Sequence, residues 1–274
     1  MVQNVPGRTS MAQHEIVFLA EDLQPLQRTQ FCVQIQEGID KQSKLFQQSI
    51  KYKNKDWNIF RSSNGKLFHF NTTSNGLFKL EKTDNAGRLK VVEFTQQYFY
   101  YTGYKSGSRP SGAYVFRPTE EASTPLGEPT TSQTFEGDIF YEIHQTFFQA
   151  KDNKHVSQVI RIPRENSSFL YDVEIEWMVG PIPIEDGQGK EYIHRIHVND
   201  LANNEIFYTD ANGRQYVKRR RNVRPDFDVP EVEIQEPVSS NYYPITSSIY
   251  MENEENQLRL TVLTDRSQGG GSIR

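Results

Sequence analysis

The sequence predicts an all-β fold, an antiparallel β-sandwich. Three observations indicate it: several segments alternate apolar and polar residues with a period of two, an Asn-Gly pair separates two such segments, and long amphipathic helices are hard to find. Period-two alternation is typical of a strand with one buried and one solvated face. Many short strands joined by turn signals favour a sandwich.

The strand candidates follow one another towards the C-terminus. Clear alternation marks residues 139–147, 169–177 and 257–263, and residues 156–162 follow the first of these as its expected partner strand. Residues 205–209 and 214–218 flank Asn212 and Gly213, and this dipeptide supplies the positive φ that a tight hairpin needs. The best helix candidate, residues 39–51, is rich in glutamine and lacks a continuous apolar stripe.

The predicted organisation is two-part. Residues 1–55 are interpreted as the end of a preceding small β domain plus a polar connector, and residues 56–274 as the main sandwich. The chain ends soon after the core-quality strand at 257–263, so we expect a sandwich truncated at its C-terminal end.

Composition excludes several functional classes. The 274 residues are 35% hydrophobic and 12% aromatic, which is enough for a substantial core. No apolar run is long enough for a membrane span, and residues 1–15 cannot serve as a secretory signal. The formal net charge of −4 argues against a general nucleic-acid binder, which needs a basic surface. We therefore predict neither a membrane nor a nucleic-acid partner.

The single cysteine and two sequons bear on compartment and modification. Cys32 can form no disulfide within the chain, and we predict that it is a small buried side chain. Asn71-Thr-Thr and Asn166-Ser-Ser both fit the N-glycosylation acceptor, which predicts glycans at Asn71 and Asn166. A chance occurrence of either triplet remains the alternative.

Two groups of residues resemble reactive sites but are better explained structurally. Glu174 and Glu176 would lie roughly 6.5–7 Å apart on one strand face, which suits an inverting glycosidase pair, yet such alternation usually marks a solvated face. His194 and His197 are three apart on a predicted strand, so their rings point to opposite faces and cannot share a metal ion. We predict no metal site and no catalytic residue in this chain.

Two further motifs are better explained by structural roles than by ligand binding. The basic run at residues 218–221 could bind a polyanion, but the acidic stretch at 226–236 follows it at once, so mutual pairing or pairing with a neighbouring domain is the simpler prediction. The glycines at 269–271 lack the context of a phosphate loop and predict a tight loop or a close backbone approach.

Seven stretches taken together resemble one family. They are SGAYVFRP at 111–118, EIEWMVGPIP at 174–183, GKE at 189–191, FYTDANGR at 207–214, KRRRN at 218–222, EPV with NYYP between 236 and 244, and LTVLTDRSQGG at 260–270. In this order they resemble the C-terminal β region of lysosomal-type α-mannosidases, glycoside hydrolase family 38. The resemblance is strong from about residue 66 to the end.

The resemblance implies a fold, an activity and one site residue. The fold is a galactose-mutarotase-like supersandwich, and the activity is retaining hydrolysis of α-linked mannose in N-glycans, in lysosomes or another endomembrane compartment. Zinc and the Asp nucleophile belong to an N-terminal α/β barrel followed by a helical bundle. Tyr114 matches a family tyrosine that hydrogen-bonds substrate in the barrel's pocket.

The barrel's signatures are absent between Met1 and Arg274: the sequence has no His-x-Asp and no His-His-Asp. We therefore expect this chain alone to be inactive and to bind no zinc, and its expected partners are the missing barrel and helical bundle together with mannose-containing glycans. One alternative is an autonomous carbohydrate-binding module with a platform at Tyr98, Tyr100, Tyr101 and Tyr104. Another is a structural sandwich that docks through its arginines.

Overall fold

A computed structural model provides the structure of the chain, which forms two compact units. Unit 1 comprises Met1–Tyr98 and Leu126–Pro183, and unit 2 comprises Phe99–Pro125 and Ile184–Arg274. The structure describes residues 17–32, 44–45, 49–52, 55–61, 66–71, 76–83, 86–105, 107, 110–112, 115–149, 154–164, 173–224, 236–255 and 257–271.

Strands dominate the secondary structure of the described residues. The strands are β1 (Lys44–Leu45), β2 (Ser49–Tyr52), β3 (Lys55–Arg61), β4 (Leu67–Asn71), β5 (Leu77–Thr83), β6 (Leu89–Thr102), β7 (Thr124–Pro125), β8 (Thr131–Glu136), β9 (Phe140–Gln149), β10 (Lys154–Pro163), β11 (Glu174–Val179), β12 (Lys190–Val198), β13 (Ile206–Ala211), β14 (Gln215–Arg220), β15 (Tyr243–Ile245), β16 (Ser248–Asn253), β17 (Leu258–Leu263) and β18 (Gln268–Gly270). One 3₁₀ turn covers Ser239–Asn241. Among the described residues no helix is long and apolar enough to span a bilayer. The predicted all-β, antiparallel class is confirmed.

Unit 1 consists of two sheets that share a core. One sheet has the order β1-β8-β9-β10-β11, and in the other β2, β3, β4, β5 and the N-terminal part of β6 are consecutive neighbours. Four phenylalanines of the second sheet are fully buried with three isoleucines of the first: Phe60, Phe68, Phe70 and Phe78 with Ile143, Ile160 and Ile162. Each such side chain stabilises the fold by about 1.5–3 kcal/mol through removal from water.

A hydrogen-bonded polar network crosses the core of unit 1. Gln158 on β10 is completely buried, and its Oε1 accepts a hydrogen bond from the hydroxyl of Tyr98 at 2.7 Å. Its Nε2 donates to Oε1 of Gln145 at 2.7 Å and to Oε1 of Gln96 at 3.2 Å. Buried amides are tolerated when they are paired in this way. The network links β6, β9 and β10.

Unit 2 contains the C-terminal part of β6 and two further sheets. Strand β7 pairs with β6 at Phe99 and Tyr100, and a four-stranded sheet has the order β14-β13-β16-β17. Strands β15 and β18 form a separate pair. Every register given for these strands is antiparallel.

The β13–β14 hairpin is closed as the sequence predicts. Asn212 and Gly213 have φ values of 54° and 67°, and the N–H of Arg214 donates to the carbonyl of Ala211 at 3.1 Å. Two central residues with positive φ are typical of a type I′ turn. Asp210 reinforces this turn, because its Oδ2 accepts from the N–H of Gly213 at 2.8 Å.

Asp210 also joins the hairpin to the start of β16. Its Oδ1 accepts from the N–H groups of Thr246, Ser247 and Ser248 at 2.8, 2.9 and 3.2 Å. These donors, that of Ser247 foremost, hold the pKa of the Asp210 carboxyl well below its usual range, because they stabilise the charged form.

The predicted boundary after residue 55 does not coincide with the two compact units. Strand β2 pairs with β3 in the sheet that continues to β4 and β5, and all of these strands belong to unit 1. The domain boundary therefore stays a prediction. The helix candidate at 39–51 contains β1 and part of β2 among its described residues.

Candidate functional site

The segment that carries Tyr114 is a loop of unit 2 whose two arms are paired. The N–H of Thr119 donates to the carbonyl of Thr102 at 2.8 Å, and Gly103 forms an antiparallel bridge with Pro118. Further along, the N–H of Tyr104 donates to the carbonyl of Arg117 at 2.7 Å. The loop therefore extends directly from the end of β6.

The tip of this loop is also closed by hydrogen bonds. The N–H of Gly112 donates to the carbonyl of Val115 at 3.1 Å, and the N–H of Ser111 donates to the carbonyl of Tyr104 at 2.8 Å. Tyr114 lies between Gly112 and Val115 and outside the described residues. The chain on both sides of Tyr114 is thus held at the end of a closed loop.

Arg117 connects both arms of the loop to a distant segment. Its backbone N–H donates to Oγ of Ser111 at 3.1 Å, and its Nη1 donates to the carbonyl of Pro110 at 3.4 Å. Its Nε donates to a carboxylate oxygen of Glu236. The two charged side chains are 25% and 23% exposed, so solvent screens this pair less than it would a fully exposed one.

A second contact supports the base of the loop. The ring of Phe116 meets that of Tyr101 edge-on at 6.2 Å, and Tyr101 is buried. Tyr98 and Tyr100 are buried as well, whereas Tyr104 is 43% exposed. Three of the four tyrosines of the alternative carbohydrate-binding platform therefore pack inside the protein, which counts against that alternative.

The Glu174–Glu176 pair is part of an ion-pair cluster. Nη1 of Arg161 contacts Oε1 of Glu174 at 2.8 Å and Oε2 of Glu176 at 3.1 Å, while its Nε contacts Oε1 of Glu142 at 2.9 Å. Burial alone would raise the pKa of Glu142, but hydrogen bonds from His144 and Arg161 outweigh it and lower the pKa. This arrangement explains the carboxylates without catalysis.

The two histidines of β12 diverge as predicted. His197 is exposed on the rim of a depression of about 440 Å³ formed by residues 197–202. Nε2 of His194 is inaccessible to solvent, and burial lowers the pKa of His194 to about 4. Within the described ranges, no group of three or more His, Cys, Asp or Glu side chains could hold a metal ion.

Sequence comparison places these elements in a known family. The family model described as glycosyl hydrolases family 38 C-terminal domain matches residues 45–274. This chain belongs to glycoside hydrolase family 38. The lysosomal α-mannosidase of Bos taurus is 39% identical over 199 residues, which are 71% of this chain and 18% of that protein. That of Homo sapiens is 37% identical over 194 residues, 69% and 18% of the two chains.

A plant relative gives the same picture. The α-mannosidase of Canavalia ensiformis is 37% identical to the family 38 chain over 200 residues, which are 72% of this chain and 19% of that protein. The chain therefore spans less than a fifth of the length of these relatives. The recognition of the family from seven sequence motifs is confirmed.

The basic run of the family 38 chain is divided between two sides of β14 and the turn that follows. Lys218 and Arg220 are exposed. Arg219 lies over the ring of Tyr243 at 4.3 Å and donates from Nε to Oγ1 of Thr209 at 3.3 Å, and Nη2 of Arg221 lies 3.6 Å from a carboxylate oxygen of Glu121.

For the acidic stretch at 226–236, the sequence leaves two alternatives: ion pairing with this basic run or with a neighbouring domain. Residues 226–235 lie outside the described residues. Glu236 is described, and it pairs with Arg117. Pairing with the basic run therefore does not hold for Glu236, and pairing of this stretch with a neighbouring domain stays a prediction.

The remaining single-residue predictions have different outcomes. Cys32 is exposed, so the prediction of a buried thiol is wrong. Cys32 lies in residues 17–32, which belong to no strand.

The two predicted glycosylation sites differ in what the structure describes. Asn71 ends β4 with a fully buried side chain, which counts against a glycan on the folded chain, and Asn166 lies outside the described residues. Glycosylation at both sites stays a prediction.

The glycines at the C-terminal end confirm the predicted close approach. A Cβ on Gly270 would lie 2.3 Å from Cδ1 of Ile245, and one on Gly271 would lie 2.3 Å from the carbonyl oxygen of Asn241. No atom lies within 4 Å of a Cβ placed on Gly269. Gly271 is therefore needed for packing against backbone, whereas the end of the Ile245 side chain could shift to admit a Cβ at Gly270.

Proposed function

We propose that this chain is the non-catalytic β-sandwich portion of a zinc-dependent, retaining α-mannosidase that hydrolyses α-linked mannose in N-glycans. The family match over residues 45–274 carries this proposal, and the relatives that cover the chain are named α-mannosidases. We place the zinc ligands and the attacking carboxylate in an N-terminal α/β barrel outside this chain, which a helical bundle follows.

The chain alone is then inactive. The described residues contain no cluster of three or more His, Cys, Asp or Glu side chains that could hold a metal ion, and Glu174 and Glu176 are bound to Arg161. The test measures zinc by mass spectrometry and the release of a chromogenic α-mannoside by the purified chain. We expect neither bound zinc nor turnover. Stoichiometric zinc together with turnover would overturn the proposal.

Within the complete enzyme, we assign to Tyr114 a hydrogen bond from its phenol to a sugar oxygen of the substrate. The closed loop that flanks Tyr114 supports this role, because Gly112, Val115 and Arg117 fix the chain on either side of it. A rigid ring with a polar tip suits such a contact.

The test of Tyr114 is the kinetics of Tyr114→Phe in the full-length enzyme. Loss of one hydrogen bond to an uncharged group costs about 0.5–1.5 kcal/mol, so we expect kcat/KM to fall by roughly two- to tenfold. Tyr104→Phe is the matched control, since Tyr104 is an exposed tyrosine at the base of the same loop. Unchanged kinetics for Tyr114→Phe would remove the assignment.

The compartment follows from the same proposal. The bovine and human relatives are lysosomal α-mannosidases, and we infer a lysosomal or other endomembrane location for the enzyme that contains this chain. Peptide mass spectrometry with and without glycosidase treatment tests Asn71 and Asn166 separately. Unmodified asparagine at both sites in protein purified from its native source would contradict the predicted glycosylation.

A further inference from the structure

The outer side of the β14-β13-β16-β17 sheet carries tyrosines and cations that the proposed function does not use. On its inner side Phe207 and Thr209 of β13 are completely buried. Tyr208 lies between them in sequence and therefore points outward, directly opposite Lys218 on one neighbouring strand and Tyr250 on the other. We call this outer surface the tyrosine face.

Three tyrosine rings form the centre of the tyrosine face. The rings of Tyr208 and Tyr250 are stacked, with centroids 4.5 Å apart and planes 7° apart. The ring of Tyr216 meets that of Tyr250 at 4.8 Å and 80°. The hydroxyls of Tyr216 and Ser248 lie 2.5 Å apart.

The hydroxyl contact fixes the direction of the Tyr216 side chain. Tyr216 belongs to β14 and Ser248 to β16, and β13 lies between these two strands. Because neighbouring strands are about 4.8 Å apart, the Tyr216 side chain must extend along the sheet across β13 and cannot stand upright. It remains 48% exposed, whereas Asp210, its partner on β13, is buried. Tyr216 thus presents an aromatic surface to solvent beside two upright rings.

Charged groups surround these rings. Arg259 lies over Tyr250 at 4.7 Å, and its Nε and Nη2 donate to Oε2 of Glu252 at 2.8 and 2.5 Å. Lys218 and Arg220, on the same side of β14, are exposed. Besides the buried Asp210, the tyrosine face therefore holds three cations and one carboxylate, although the whole chain has a net charge of −4.

We propose that the tyrosine face binds an acidic oligosaccharide, a chain of pyranoses that carries carboxylate or sulfate groups. The apolar side of a pyranose would stack on Tyr216, and its hydroxyls would bond to Arg259 and Glu252. The anionic substituent would pair with Lys218 and Arg220.

The size and charge of the tyrosine face favour this ligand over other anions. Four strands span about 14 Å, which accommodates two or three sugar units. Lys218 and Arg220 have no described carboxylate partner, and two such cations can neutralise a ligand that carries only a few negative charges. A nucleic acid, by contrast, requires many phosphate contacts.

The experiment measures binding of three hexasaccharides to the full chain by titration calorimetry at low salt. They are a heparin hexasaccharide with sulfates and carboxylates, a hyaluronan hexasaccharide with carboxylates only, and neutral mannohexaose. A single-stranded DNA hexamer is the fourth probe. No catalytic activity is needed, so the outcome is independent of the proposed mannosidase function.

Variants separate stacking from charge. Lys218→Gln with Arg220→Gln should weaken binding of an acidic hexasaccharide about tenfold, and Tyr216→Ala about fivefold. Tyr216→Phe keeps the ring and should bind within about twofold of the wild type. Lys82→Gln with Arg88→Gln removes two exposed cations of unit 1 and should change nothing. Thermal melts verify that each variant is folded.

The proposal is supported if either acidic hexasaccharide binds and if the cation variants and Tyr216→Ala weaken this binding as stated. Comparing the heparin and hyaluronan hexasaccharides shows whether sulfate is required. The proposal is overturned if no acidic hexasaccharide binds or if mannohexaose binds equally well. Stronger binding of the DNA hexamer, or loss of binding with the cation variants but not with Tyr216→Ala, would overturn it as well.

Discussion

Replacing Gln158 by leucine should destabilise unit 1 strongly even though leucine is more hydrophobic. The substitution removes three hydrogen bonds, to Tyr98, Gln145 and Gln96, in a site with no solvent exposure. Each buried polar group left without its partner costs about 1–3 kcal/mol, and burial of the added apolar surface offsets about 2 kcal/mol. We therefore expect a loss of about 3 kcal/mol in the free energy of unfolding.

The assay is equilibrium unfolding in urea followed by tryptophan fluorescence. Trp177 is a suitable reporter, because its ring lies 5.5 Å from that of Tyr98. The control is Tyr98→Phe, which removes one hydrogen bond and keeps the ring contacts, and it should cost about 1–2 kcal/mol.

The double variant distinguishes the network from simple packing. In Gln158→Leu the hydroxyl of Tyr98 loses the acceptor that lies 2.7 Å away in the wild type. Removing this hydroxyl by Tyr98→Phe in the same protein should therefore recover part of the lost stability. The two substitutions together should thus cost at least about 0.5 kcal/mol less than the sum of the single costs. A neutral or stabilising Gln158→Leu, or strict additivity, would refute the view that this network stabilises the core.

Three further predictions concern other contacts. Gly271→Ala should lower stability by about 1–3 kcal/mol, because its Cβ would lie 2.3 Å from the carbonyl oxygen of Asn241, whereas Gly269→Ala should be neutral in the same thermal melt. Asp210 has a lowered pKa in the folded state, so its stabilising effect is complete above an unfolded pKa of about 3.9 and is lost as the pH falls below it. The unfolding midpoint of Asp210→Asn should accordingly depend less on pH below about pH 4 than that of the wild type. If the midpoints of both proteins fall equally steeply with pH in this range, the prediction is contradicted. Arg161→Met leaves three carboxylates close together and should cost about 2 kcal/mol at neutral pH, with a smaller loss at pH 4; an equal loss at both values would exclude like-charge repulsion as the cause.

Local signals predicted the strands well. The period-two alternation at 257–263 corresponds to β17, whose residues alternate between half-buried and exposed. Residues 140–147 lie within β9, which begins one residue later than the predicted segment 139–147, and residues 156–162 lie within its partner β10. The Asn212-Gly213 turn has the positive φ values that its sequence implies. Each of these features depends on residues that are close together in the chain.

Long-range pairing could not be predicted in this way. Arg117 and Glu236 are 119 positions apart, and the local sequence of neither residue indicates the other. The stacking of Tyr208 on Tyr250 depends on the register between β13 and β16, which the alternation of each strand leaves open. The small, apolar side chain of Cys32 predicts burial, but Cys32 is exposed in residues 17–32, which belong to no strand.

The division of residues 218–221 between two sides has a consequence for the salt dependence of binding. Of the four cations of this run, a ligand on the side of Lys218 and Arg220 can displace the counterions of those two only, since Arg219 faces Thr209 and Arg221 lies near Glu121, while Arg259 on the same side is already paired with Glu252. The logarithm of the ligand's affinity should therefore fall with the logarithm of the salt concentration with a slope of about −2 at most. Four accessible charges in a row, as on a flexible tail, would instead give a slope of about −4.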